Sequence, residues 1–309
     1  MRYRFRGKYY LFCLNSRNNS SQNLPIYIMK LLPIERRSNL SREEFIESYL
    51  KPKKPVIFTD LVKDWPALEK WTFDWLRTNY GHIQVPLFDN HIHDTKNYFQ
   101  AAKTMPFGDY LSLIEQGPTD LRIFLFDIFK IVPELANDIR FPTIMDGFLK
   151  NYKFMFFGGQ NSVVNLHYDM DCSNVFLTQF QTRKQAILFA PDKSANLYQH
   201  PFTVQSHVNP LNPDYERYPA MKNLEGYEAT FGHGETLFIP SLWWHYIKYV
   251  DGGFSLALRA NDSIFTTARG GWNVVRHTFI DKGMTKLIGE PWKQWKEQKA
   301  VENANAVLA

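Results

Sequence analysis

From residue 29 onward, apolar and polar positions fall into short, regular blocks. Ser41-Arg-Glu-Glu44 has the form of a capping box, and Phe45, Ile46, Tyr49 and Leu50 follow at helical spacing. A helix is therefore predicted to start near Arg42. Pro55–Thr59 is a β-branched and aromatic run that predicts a strand. Thr72 opens a second predicted helix bearing Trp75, Leu76 and Tyr80, with Gly81 placed to end it. Residues 82–89 and 121–128 read as strands on either side of a helix around Tyr110–Glu115.

The pattern changes at Asn151. Eight short blocks predict strands: Tyr152–Phe157, Ser162–Asp169, Asn174–Gln181, Lys184–Ala190, Tyr227–Phe231, Glu235–Pro240, Trp243–Val250 and Phe254–Ala260. No helical crossover lies between them, which favours an antiparallel sandwich or barrel over a parallel sheet. Residues 192–226 form a polar, proline-bearing insertion that predicts a loop over one end. Past Ser263 the periodicity turns helical, with Val274, Val275, Phe279, Leu287 and Ile288 as apolar positions.

Composition narrows the class. The chain has 309 residues, 44% hydrophobic and 22% charged, enough for a well-buried core and unlike a disordered chain. No apolar run is long enough to span a bilayer as a helix. Two cysteines, Cys13 and Cys172, rule out a disulfide framework or a four-thiolate zinc site, and fit a cytoplasmic, reducing setting. Residues 1–54 carry twelve Lys/Arg against four Asp/Glu, the remainder 24 against 27. The net charge of +5 therefore describes the N-terminus and not a nucleic-acid-binding surface. Residues 1–28 read as a basic flexible tail, and translation starting at Met29 is an alternative expectation. The expected division is this tail, a catalytic domain over 29–262 with its barrel core at about 151–262, and a helical extension over 263–309.

Candidate chemistry centres on His167-Tyr-Asp169. On a strand, residues two apart share a face, so His167 and Asp169 point the same way. His245 lies at the end of Glu235-Thr-Leu-Phe-Ile-Pro-Ser-Leu-Trp-Trp-His245, just after a strand–turn–strand unit. Two imidazoles and one carboxylate can occupy one face of an octahedral metal, the facial triad of non-haem Fe(II) oxygenases; Zn or Mn could use the same groups. An H-x-D pair also arises by chance, so the context of His245 carries the argument. Lys184 and Ala186 share a face opposite Ile187 and Phe189, and Ser255, Ala257 and Arg259 share a face opposite Leu256 and Leu258. His91-Ile-His93-Asp94 is a weaker metal candidate, with no evident further partner. Cys172 reads as a buried, inert thiol, and Trp243 and Trp244 as packing at the barrel end. The G-x-S-x-G, Walker and G-x-G-x-x-G motifs are missing, leaving hydrolase, P-loop and Rossmann readings without their primary support.

Several ordered motifs together resemble the JmjC-type, cupin-like 2-oxoglutarate oxygenases, the group of the asparaginyl hydroxylase of the hypoxia-inducible factor and the tRNA wybutosine hydroxylase. They are Asn165-Leu-His-Tyr-Asp169, Arg183–Pro191, Pro213–Pro219 and Leu237–His245, and more loosely Pro55–Trp71, across roughly residues 38–262. The resemblance implies a double-stranded β-helix (jelly-roll) barrel, mainly β, with flanking N- and C-terminal helices. It implies Fe(II) held by His167, Asp169 and His245, and 2-oxoglutarate as co-substrate. Lys184 matches the lysine that pairs with the distal carboxylate of 2-oxoglutarate, and Asn174 an asparagine near its metal-bound end. Phe124 and Val164 stand where the asparaginyl hydroxylase has hydroxyl-bearing residues. Arg259 replaces an amide, and other oxygenases anchor the distal carboxylate with an arginine on this strand, so Lys184 and Arg259 are rival or joint anchors. The expected activity is hydroxylation of a protein side chain, with a tRNA base or a metabolite as alternative substrates. A metal-binding cupin that does not use 2-oxoglutarate is the non-oxygenase alternative. The C-terminal helices are expected to pack on the barrel or to form a homodimer.

Overall fold

A computed structural model describes residues 28–89 and 101–308. The basic tail and His91, His93 and Asp94 lie outside the described residues.

Fourteen strands are present among these residues. They are β1 (Lys30–Pro33), β2 (Arg36–Arg37), β3 (Val56–Phe58), β4 (Gln84–Leu87), β5 (Lys103–Pro106), β6 (Arg122–Phe126) and β7 (Phe148–Gly158). The second half supplies β8 (Val163–His167), β9 (Asn174–Phe180), β10 (Lys184–Phe189), β11 (Glu225–Phe231), β12 (Thr236–Ile239), β13 (Trp244–Tyr249) and β14 (Gly253–Ala260). One sheet has the order β1-β11-β10-β13-β8 and the other β2-β3-β12-β9-β14-β7-β6, with β4 and β5 forming a separate hairpin. From β7 to β14 the chain passes back and forth between the two larger sheets, apart from the β10–β11 pair. This is the jelly-roll sandwich that the run of short strands predicts.

The period-2 pattern explains the layering. Val175, Leu177, Ala186, Leu188, Ile247 and Ala257 pack between the sheets. The outer face of the seven-stranded sheet carries Phe176, Phe180, Phe254 and Phe238, covered by N-terminal elements through Phe45, Trp71 and Phe107. β9 is buried along its whole length because both of its faces are covered.

The helical elements start where capping chemistry places them. In α1 (Arg42–Phe45), Ser41 Oγ accepts from the Glu44 amide at 3.1 Å, and a π-helical turn, Ile46–Leu50, follows. Next come α2 (Ala67–Lys70) and α3 (Phe73–Tyr80), where Thr72 Oγ1 accepts from the Trp75 amide at 3.0 Å. After α4 (Phe107–Gln116) and α5 (Ile128–Ile131), the C-terminal helices are α6 (Ile264–Val275), α7 (Lys282–Ile288) and α8 (Glu290–Ala306). A π-helical stretch, Arg276–Asp281, links α6 to α7. Among the described residues, no helix is long and apolar enough to cross a membrane.

The insertion is largely loop, as predicted, and it is tied to the barrel. Its segment 203–206 lies along the end of β8: the Tyr168 amide donates to Val204 O, and the Ser206 amide to Leu166 O, both at 3.0 Å. Phe202 stacks on Trp292, which stacks on Trp295, so α8 packs on the insertion. The sequence missed these contacts because neither segment has a strong period of its own.

Candidate active site

His167 ends β8 and His245 lies on β13 directly opposite it in the antiparallel register. Their rings are 4.2 Å apart between centroids. Asp169 follows two residues later, in the turn that leaves β8. One ligand atom from each of the three residues lies within 4.8 Å of the others.

The protonation pattern suits a metal. His167 Nδ1 donates to Asn165 O at 2.8 Å, and His245 Nδ1 to Trp243 O at 3.1 Å. A carbonyl can only accept, so these bonds fix the Nδ1–H tautomers and leave each Nε2 lone pair for coordination. Burial lowers the pKa of His245 and keeps its ring neutral. Burial opposes ionisation of Asp169, but the Arg259 guanidinium beside it, charged and hydrogen-bonded to it, outweighs that penalty and holds the carboxyl well below the usual range. Two neutral nitrogens and a carboxylate without thiolate are a donor set that Fe(II) fits.

These residues line one cavity of about 720 Å³ that reaches Lys184 at its other end. Lys184 is 1% exposed. Its ammonium donates to Ser255 Oγ and lies 4.1 Å from the centre of the Tyr249 ring. No carboxylate pairs with it among the described residues, and burial lowers its pKa well below the ordinary lysine value. A buried cation with one hydroxyl and one aromatic face is incompletely compensated. A carboxylate-bearing ligand fits that deficit.

The rival anchor is engaged elsewhere. Arg259 donates through Nη2 to Asp169 Oδ1 at 2.8 Å, and through Nη1 to Asp171 Oδ1 at 2.8 Å and Ser173 Oγ at 3.1 Å. Its guanidinium thus pairs with protein carboxylates, whereas Lys184 has no carboxylate partner among the described residues. Asn174 opens β9. Its amide donates to Ala260 O at 3.3 Å and accepts from the Ser241 amide at 2.9 Å, tying β9 to β14 and to the turn after β12. Both ends of that side chain hydrogen-bond within the barrel.

Phe124 and Val164 line the cavity as apolar groups, beside Phe154 and Phe156 of β7. By register Phe156 sits across from Ser255 and Phe154 from Ala257, so an aromatic wall runs from the Lys184 end outward. Tyr249 and Ser255 beneath Lys184, and Asp171 and Ser173 beneath Arg259, were not identified from sequence. The spacing of Asp171 two residues after Asp169 was visible, but its partner on β14 was not. Trp244 is buried and packs edge-on to Tyr168, as expected of barrel-end packing.

A jelly roll with an H-x-D…H triad facing a buried lysine defines the cupin-like, JmjC type of 2-oxoglutarate oxygenase fold. The comparisons agree. The cupin-like domain family matches residues 41–261, and the chain belongs to it. The chain is 29% identical over 232 residues to lysine-specific demethylase 8 of Danio rerio, covering 70% of this chain and 55% of that protein. It is 27% identical over 241 residues to tRNA wybutosine-synthesizing protein 5 of Homo sapiens, covering 69% and 73%. It is 30% identical over 227 residues to the HSPB1-associated protein 1 homolog of Danio rerio, covering 64% and 50%. The chain spans about half the length of the demethylase relatives it matches. The JmjC-type oxygenases use Fe(II) and 2-oxoglutarate, and this chain carries a His-Asp-His group able to hold iron.

Proposed function

We propose that this protein is an Fe(II)/2-oxoglutarate-dependent dioxygenase that hydroxylates a protein side chain. The observation that carries the reading is the pairing, in one cavity, of the His167–Asp169–His245 triad with the uncompensated Lys184. His167, Asp169 and His245 would hold the metal, and Lys184, oriented by Ser255, would take the distal carboxylate of 2-oxoglutarate. When bound, iron with its co-substrate supplies the oxidising power that couples decarboxylation to hydroxylation of a C–H bond. Phe124, Phe154 and Phe156 keep the Lys184 end dry, which strengthens its attraction for a carboxylate. Gln205, beside His167 across an isolated bridge, and Tyr152 on β7 line the cavity where a substrate group would be oriented.

The relatives named lysine-specific demethylases support a protein substrate. A tRNA base is the second reading, supported by the relative named for wybutosine synthesis, of which this chain covers 73%. The cytoplasm is the proposed location. A second copy of the chain is the proposed partner, pairing through the C-terminal helices, where Phe265 is 83%, Phe279 74% and Leu287 79% exposed. Light scattering of wild type and Phe265→Asp would test that pairing: a dimer that the substitution converts to monomer supports it.

The activity is tested by succinate release from 2-oxoglutarate with Fe(II)-loaded protein, alone and with peptide or tRNA pools. Turnover that His167→Ala abolishes supports an oxygenase, and the pool that raises it identifies the substrate class. If 2-oxoglutarate is neither consumed nor bound under anaerobic Fe(II), the reading fails and the metal-binding cupin replaces it.

A further inference from the structure

Asp169 belongs to a short loop, residues 169–173, that leaves β8 and turns back into β9. Several unrelated contacts converge on this loop. The Cys172 amide closes the turn onto Asp169 O at 3.0 Å, with Cys172 itself in the left-handed region at φ 55°. From β14, the Arg259 fork grips Asp169, Asp171 and Ser173, and Ser173 Oγ also donates to the Asp171 carboxylate at 3.0–3.1 Å.

The other side of the loop is covered by α6, which lies beyond the residues matched by the cupin-like family. Gly270 is buried so closely that an added Cβ would come within 2.3 Å of Asp171 O and 2.6 Å of Asp171 C. The next residue, Gly271, meets nothing within 4 Å, so the close approach belongs to one face of the helix. Asn273 lies three residues after Gly270 on that face and is 4% exposed. Its Nδ2 donates to Met170 O at 3.3 Å and to Cys172 Sγ at 3.2 Å.

We propose that Arg259, Gly270 and Asn273 form a two-sided clamp that positions Asp169 for the metal, making α6 part of the metal centre. The proposal rests on the reading of His167, Asp169 and His245 as ligands. A carboxylate can swing about its terminal torsion, and Arg259 removes that freedom by holding Oδ1 while offsetting the repulsion between Asp169 and Asp171. Gly270 and Asn273 fix the backbone from which Asp169 projects. None of the three touches the reacting groups; they act as positioning residues.

The test is Mn(II) affinity of the chelator-stripped full chain by calorimetry, with thermal unfolding as the check on folding and the Mn(II) electron paramagnetic resonance spectrum as a second readout. Loss of outer partners of metal ligands typically weakens metal binding about 10–100-fold. Arg259→Gln is expected in that range, and Gly270→Ala and Asn273→Ala at several-fold. Arg259→Lys should recover part of the affinity and alter the zero-field splitting, which a merely structural role would not move. Asn273→Ser and Arg259→Lys decide the matter if the harsher variants do not fold. Wild-type affinity in folded Gly270→Ala and Asn273→Ala, with His167→Ala inactive in binding, overturns the clamp alone. Full affinity in His167→Ala overturns the ligand assignment, and the clamp with it.

Discussion

The two ends of the cavity handle charge in opposite ways. At the metal end, every ionised group has an answer within the protein. Asp169 and Asp171 share Arg259, both imidazoles donate to backbone carbonyls, and Ser173 bridges the second carboxylate. At the other end, Lys184 is more deeply buried, yet among the described residues it has only the Ser255 hydroxyl and the Tyr249 ring. The metal end is organised before any ligand arrives, as a coordination site needs. The lysine end is left in deficit, and in the proposed reading an incoming carboxylate would meet it. Among the described residues, the arginine at one end pairs with two acids and the lysine at the other with none, which favours Lys184 as the proposed co-substrate anchor.

Removing a ligand should break the comparison most severely. His167→Ala leaves two donors, and Mn(II) or Fe(II) affinity is expected to fall more than about 100-fold in calorimetry, with 2-oxoglutarate turnover lost. Residual turnover within tenfold of wild type would show that the triad is not the metal site.

Lys184→Met tests the other end and should act in two directions at once. A charge-assisted hydrogen bond contributes about 1.5–3 kcal/mol, so 2-oxoglutarate affinity should fall about 10–100-fold. The ligand-free protein should become more stable in denaturant titration, by on the order of 1 kcal/mol, because a buried amine whose ionisation the site penalises is replaced by an apolar chain of similar shape. A destabilised variant that still binds 2-oxoglutarate normally would invert the assignment of the two ends.

The depressed lysine pKa gives a pH signature. In the free protein burial favours neutral Lys184; a bound carboxylate favours the ammonium and raises its pKa again. Between the two values the complex holds one more proton than the free protein, so binding takes up a proton. Affinity for 2-oxoglutarate should therefore weaken as pH rises through that window, by at most about tenfold per pH unit for one proton. Calorimetry in buffers of different ionisation enthalpy reads the proton directly, and none taken up at any pH would count against Lys184 as the anchor.

The smallest expected effect is at Cys172. Burial pushes its thiol up to about 11, so alkylation of the native protein near pH 7.5 should be far slower than that of a free thiol, and denaturant should abolish the difference. Rapid native alkylation would show that the loop held by α6 opens readily.

Strand alternation made much of this legible beforehand. It set Lys184 and Ala186 on one face, Ser255 and Arg259 on another, and His167 with Asp169. The capping residues Ser41 and Thr72 marked their helix starts because the cap is a local hydrogen bond. Alternation places Arg259 on its face but does not show its partners. Its acids lie 88 and 90 residues earlier in the chain, and only the return of the 169–173 loop to the end of β14 brings them within reach. The partners of Asn174, Ser241 and Ala260, are likewise distant in the chain.

The exposed C-terminal positions Val275, Phe279 and Leu287 show the converse limit. Their periodicity determined a helix, but periodicity states which residues share a face and not what that face meets. The sequence by itself determined the strand series, the donor types and the faces on which they stand, because these follow from local geometry of period 2 or 3.6. Tertiary structure decided which charge answers which, that α6 packs on the 169–173 loop, and that Lys184 is left without an acid among the described residues, because electrostatic pairing depends on distances that only the closed barrel sets.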